Sequence, residues 1–195
     1  MGPLVQKGCA IVLLAAFLCL WDRRPPAERM MEASRAPPDI MRLIDQRQGE
    51  VLWIDGLNEA WFFLGRPQWA SPLQGNPAIF SSALAAEWRK RMQDLMGLRL
   101  ADQKSLVPLS VPESADLPRL SREGVRQLCV RKDAPAWIIA PLEHGKELPA
   151  GIDMIQWRLP EPHFQMTKGD GRYVWLRIDA FGVIPCAGQK RLQPD

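Results

Sequence analysis

The sequence predicts an α/β domain: a small mixed β-sheet with flanking helices, preceded by an N-terminal membrane helix. Three observations carry this. Helix, glycine and strand signals alternate from Pro38 to Asp55. A second apolar run, "PAWIIAP", stands at Pro135–Pro141. An alternating stretch closes the chain around the turn signal Gly169-Asp170-Gly171. Apolar runs bounded by turn residues read as buried strands, and alternation reads as a half-buried strand.

Each element has a local reason. Pro38 suits the first position of a helix, and Ile40, Met41, Leu43 and Ile44 give it an apolar face up to Gly49. "EVLWID", Glu50–Asp55, is rich in strand formers. Leu57–Gly65 reads as two helical turns with Leu57, Trp61 and Leu64 on one face. A proline-rich loop, "GRPQWASPLQGNPAIFSS", runs from Gly65 to Ser82. Ser81 or Ser82 then caps a helix to Gly97, with Leu84, Trp88, Met92, Leu95 and Met96 at helical spacing. Arg89, Lys90 and Arg91 read as its solvated face. Residues 101–120 are polar and proline-rich, a surface loop. Ser121 caps a helix through Cys129, and "IDMIQWRL" and Tyr173–Ile178 alternate as strands of a closing hairpin.

The chain divides into residues 1–21 as a membrane anchor or signal-like segment, 22–38 as a proline-rich linker, 39–187 as the α/β domain and 188–195 as a tail. The first segment rests on Gly8–Trp21, which carries no charge and ends at Asp22-Arg23-Arg24. Trp beside charge suits a helix end at a membrane interface. The uncharged core is short for a full span of about 20 residues. With Leu4 as its start and Lys7 snorkelling, it lengthens toward one.

Composition excludes some classes. The net charge of +3 is small and mixed along the chain, which argues against nucleic acid as a partner. Cys9 and Cys19 lie in the apolar segment, while Cys129 and Cys186 lie in the domain. No CxxC pair occurs and only His144 and His163 could assist, so no metal site is expected. Cys129 and Cys186 form a disulfide in an oxidising compartment or stay as two buried thiols.

No phosphate-binding glycine loop, nucleophile elbow, zinc-protease helix or calcium loop is present. No cofactor is expected. The Gly65–Ser82 loop offers the sharpest candidate. Arg66, Gln74 and the hydroxyls of Ser81 and Ser82 could hold a phosphate or carboxylate at a helix start. Against this stands a purely structural loop, with Arg66 paired to Asp55 or Glu59. Trp69 either packs beneath the loop or stacks on a sugar. Asp55, Asp133 and Asp179 each lie near a strand end, and Asp55 is the candidate acid or base. His144 and His163 fall in expected loops.

The stretch Phe63–Arg91 resembles the C-terminal soluble tails of bacterial multi-span membrane proteins of the glycosyltransferase C-fold type. The matching residues are Leu64, Arg66, Pro67, Trp69, Ser71, Gln74 and Gly75, followed by Phe80, Ser81, Ala85, Glu87, Arg89 and Arg91. Asn76-Pro77 and Ser82 depart from the pattern, and Ser82 replaces an arginine. The resemblance implies that the apolar N-terminus is, or descends from, the last membrane helix of such a protein. It implies a domain outside the bacterial inner membrane, in the periplasm, with membrane proteins or a glycan as partners. It argues against autonomous glycosyl transfer, because the catalytic loops of that class lie near other membrane helices. The expected function is a membrane-tethered accessory or interaction domain of a cell-envelope glycan system. The alternative is an enzyme acting on a glycan or phosphorylated envelope substrate.

Overall fold

The structure is a computed structural model that describes residues 11–17, 37–54, 56, 59–75, 81–101, 120–169 and 172–186. Its helices are α1 (residues 11–17), α2 (Pro38–Ile44), α3 (Ser82–Gly97) and α4 (Arg122–Cys129). Its strands are β1 (Val51–Trp53), β2 (Trp137–Glu143), β3 (Ile155–Gly169) and β4 (Arg172–Pro185). They form one sheet in the order β1-β2-β4-β3. β1 runs parallel to β2, and β4 lies antiparallel to both β2 and β3. This is the mixed sheet of an α/β domain.

Both faces of the sheet are covered, which explains the unbroken apolar runs of β1 and β2. Val51, Trp53, Trp137 and Ile139 turn to one face, where they meet Ile40 and Ile44 of α2. Leu52, Ile138 and Ala140 turn to the other, where Met92 and Leu95 of α3 and Leu128 of α4 cover them. The first face holds an aromatic cluster. Trp53 meets Phe63, Trp157 and Phe181 edge-on, at centroid distances of 6.2, 6.3 and 5.1 Å. Edge-to-face packing of this kind contributes about 0.5–1.5 kcal/mol per pair beyond burial.

The predicted helix at Leu57–Gly65 is a single π-helical turn, Glu59–Phe63. Phe63 and Leu64 point into the core, while Trp61 is exposed rather than sharing a buried face. α3 begins at Ser82, with the Ser81 hydroxyl accepting from the Leu84 amide. Its buried stripe starts one turn late, because Leu84 is 61% exposed. Its last residue is Gly97, but the left-handed residue that closes it comes two positions later. Arg99 takes the left-handed conformation (φ 58°), and the Leu100 and Arg99 amides donate to the carbonyls of Leu95 and Met96. This is a Schellman closure made without glycine.

Among the described residues no helix is long and apolar enough to cross a membrane. α1 covers only part of the expected anchor, and the rest of residues 1–21 lies outside the described residues. So do most of the 22–38 linker, the 188–195 tail and Asp55.

Candidate functional site

The Gly65–Ser82 loop is built as an extension of the sheet. β1 is an edge strand, and its outer side is paired by the loop: Val51 N donates to Pro67 O, and Trp69 N donates to Val51 O, both at 2.8 Å. The Gln68 side chain then continues the ladder. Its Oε1 accepts from Trp53 N at 3.0 Å, and its Nε2 donates to Trp53 O at 2.7 Å and Ala70 O at 3.0 Å. A buried amide thus stands in for a further strand residue and closes an edge that would otherwise pair with another chain.

Of the residues expected to bind an anion or sugar, Arg66, Trp69, Gln74 and Ser81 are engaged within the protein. Arg66 pairs with Asp45 at 2.9 Å. Gln74 Nε2 donates to Gln68 O. Ser81 is a helix cap and Ser82 is the exposed first residue of α3. Trp69 is 2% exposed, which rules it out as a sugar platform. Its indole N–H donates to Asp133 O. Residues 76–80 of the loop lie outside the described residues.

Arg91 is a staple and not part of a solvated face. Its guanidinium meets Glu87 at 2.8 Å, Glu50 at 2.9 Å and Trp69 O at 2.7 Å, and it lies 5.1 Å over the Trp69 ring. Burial opposes its charge, but Glu50 and Glu87 outweigh that and raise its pKa. Lys90 reaches Asp133, which also pairs with Arg131 at 3.1 Å. Arg131 in turn pairs with Asp94 on α3 at 2.7 Å. The hydrogen bond from Arg131 holds the Asp133 carboxyl down at about 2.

These contacts reinterpret the Phe63–Arg91 pattern. Pro67, Trp69, Ser71, Gln74, Glu87 and Arg91 tie the loop to β1 and α3. Gly75 belongs with them: a Cβ there would stand 2.6 Å from the Trp88 ring, whose N–H donates to Ser71 O. The pattern encodes a loop–helix scaffold.

Chemistry collects elsewhere, at Asp179. On one side of β4, Leu142 pairs with Ala180 and Glu143 with Ile178. On the other, Arg158 pairs with Ala180 and His163 with Ile178, leaving residues 159–162 opposite Asp179. Both ladders therefore slip at one residue. Pro160 and Pro162 lack the N–H that the ladder needs. Bulges re-aim side chains, and here Asp179 accepts from Arg177 Nε at 2.8 Å and contacts His144 Nδ1. Arg177, then His144, lowers the Asp179 pKa. The contact to an ionised Asp179 orients the His144 ring through Nδ1. Among the described side chains no hydroxyl or thiol bonds to His144, so no nucleophile accompanies the pair there. Asp133 stands before β2 and Asp179 lies opposite its far end, so the carboxylates do not converge. His163 lies in β3, not in a loop. Among the described residues no group of three or more His, Cys, Asp or Glu is placed to hold a metal ion.

Cys129 and Cys186 are joined as a disulfide, with Cα atoms 4.8 Å apart. It ties the end of α4 to the end of β4. Beside it, α4, the residues after it and the end of β4 form an open groove of about 840 Å³. Sequence reading missed this groove. Its apolar residues come from separate segments and share no period.

No family model, curated protein or solved structure matches this chain.

Proposed function

We propose that the chain is a membrane-tethered, extracytoplasmic accessory or interaction domain of a bacterial cell-envelope glycan system, held at the inner membrane with its domain in the periplasm. The observation that carries the compartment is the Cys129–Cys186 disulfide, since such bonds persist in oxidising surroundings. The tether rests on the uncharged Gly8–Trp21 segment. In α1, Ile11, Val12, Leu13, Leu14 and Phe17 are each more than half exposed. A helix apolar all round belongs in lipid or in a protein core. The glycan context rests on the resemblance of Phe63–Arg91 alone. The non-catalytic reading is supported by the closed loop, where Arg66, Trp69 and Gln74 are all engaged internally. The alternative, an enzyme on a glycan or phosphorylated substrate, loses those residues as its anion site.

The test is fractionation of bacteria expressing the full chain with a C-terminal tag. The protein should stay with membranes through alkaline carbonate washing. The tag should be digested in spheroplasts but not in intact cells, and Cys129 and Cys186 should resist alkylation until reduced. Release by carbonate, or free thiols at both positions, would sink the reading.

A further inference from the structure

We infer that the groove beside the disulfide binds a single amphiphilic anion, a small molecule with an apolar body and one phosphate or carboxylate head. Its floor is apolar: Val125, Cys129, Ala134, Ile152 and Ile184. Val125, Ala134 and Ile184 are themselves buried, so the floor is part of the packed core. Val130 stands at the wall, 71% exposed. A volume of about 840 Å³ is that of a small-molecule site, which spans roughly 300–1,000 Å³.

The rim supplies the sign. Arg122, Arg126, Arg131 and Lys132 border the groove, against one acid, Asp153. Arg126 is neutralised by Glu123 at 2.6 Å, and Arg131 by Asp94 and Asp133. Arg122 and Lys132 have no ion-pair partner among the described residues. The Arg122 stem lies along Gly151, where a Cβ would sit 3.2 Å from its Cδ. Gly151 takes a left-handed conformation (φ 72°), so the close approach suits glycine twice over. Two cations without an ion-pair partner among the described residues, over an apolar floor, complement a molecule with one anionic end. A guanidinium and an ammonium both bind phosphate and carboxylate well. The inference does not depend on the membrane reading.

The experiment uses the full chain in zwitterionic nanodiscs, titrated calorimetrically against empty discs. Three probes separate the parts: hexyl phosphate, inorganic phosphate and hexanol. Hexyl phosphate should bind at least tenfold more tightly than either of the others. Arg122→Gln with Lys132→Gln should weaken it at least tenfold, and Val130→Asp should do the same. These side chains are exposed, so thermal unfolding of each variant should stay near that of the parent. Equal binding of hexanol and hexyl phosphate would overturn the proposal, as would binding unaffected by the rim variants. So would a chain that binds anionic vesicles through these residues but not the monomeric probe, because the face would then be a membrane-docking surface.

Discussion

Gln68 and Trp53 are joined by a two-way hydrogen bond in which a side-chain amide acts as a peptide group. Trp53 N donates to Gln68 Oε1, and Gln68 Nε2 donates back to Trp53 O. Gln68 is 2% exposed. Gln68→Leu leaves both Trp53 groups without partners, so it should destabilise the protein by about 3 kcal/mol in urea unfolding. Gln68→Glu should cost more at neutral pH. The introduced carboxyl keeps an acceptor but loses the donor, and burial raises its folded-state pKa. The variant should therefore regain stability as pH falls through that raised value. Equal stability of Gln68→Leu and the parent would remove the ladder role.

The Cys129–Cys186 bond closes a sequence separation of 57 residues. Chain-entropy reasoning gives such a loop about 4 kcal/mol. Cys129→Ser with Cys186→Ser should lower stability by roughly that amount, measured by urea unfolding without reductant. Reduction of the parent should give the same loss. No change on reduction would mean that packing of α4 alone holds that layer.

Arg91 links α3 to the loop and to Glu50 just before β1. Arg91→Met keeps an apolar stem but removes the guanidinium that lies over Trp69 and meets Glu50 and Glu87, and should cost about 2 kcal/mol. In a double-mutant cycle with Glu50→Gln, a coupling near 1 kcal/mol is expected. Zero coupling would reduce the pair to surface decoration.

Asp133 gives a pH signature. The Arg131 hydrogen bond lowers its pKa from 3.8 to about 2. A depressed folded-state value means stability that is present above the unfolded pKa. It is lost as pH falls through the folded one, so the window runs from about pH 4 down to about 2. Asp133→Asn should flatten the stability profile within that window. An unchanged profile would show that the Arg131 bond does not persist in solution.

Arg99 adopts the left-handed conformation at the end of α3. Arg99→Gly relieves a backbone penalty of about 1–2 kcal/mol and loses some of it to unfolded-chain entropy. A net gain of about 0.5 kcal/mol is expected from thermal unfolding. A loss would show that the Arg99 side chain contributes more than its strain costs.

Local signals determined much of this protein. Proline at the start of α2, serine caps at α3 and α4, and apolar β1 and β2 all act within a few residues, so they stand in the sequence. The two-sided burial of β1 and β2 made the α/β class legible for the same reason. The site was a matter of tertiary structure. Whether Arg66 binds a ligand or Asp45, and whether Trp69 is buried or offered, depends on what a distant segment places beside it. The slip of two ladders at Asp179, which joins it to His144, has no periodic trace. The groove likewise exists only where α4 and the end of β4, joined by the 129–186 bond, pack side by side. Capping and patterning are short-range, and sequence carries them. Convergence of side chains is long-range, and only the packed chain decides it.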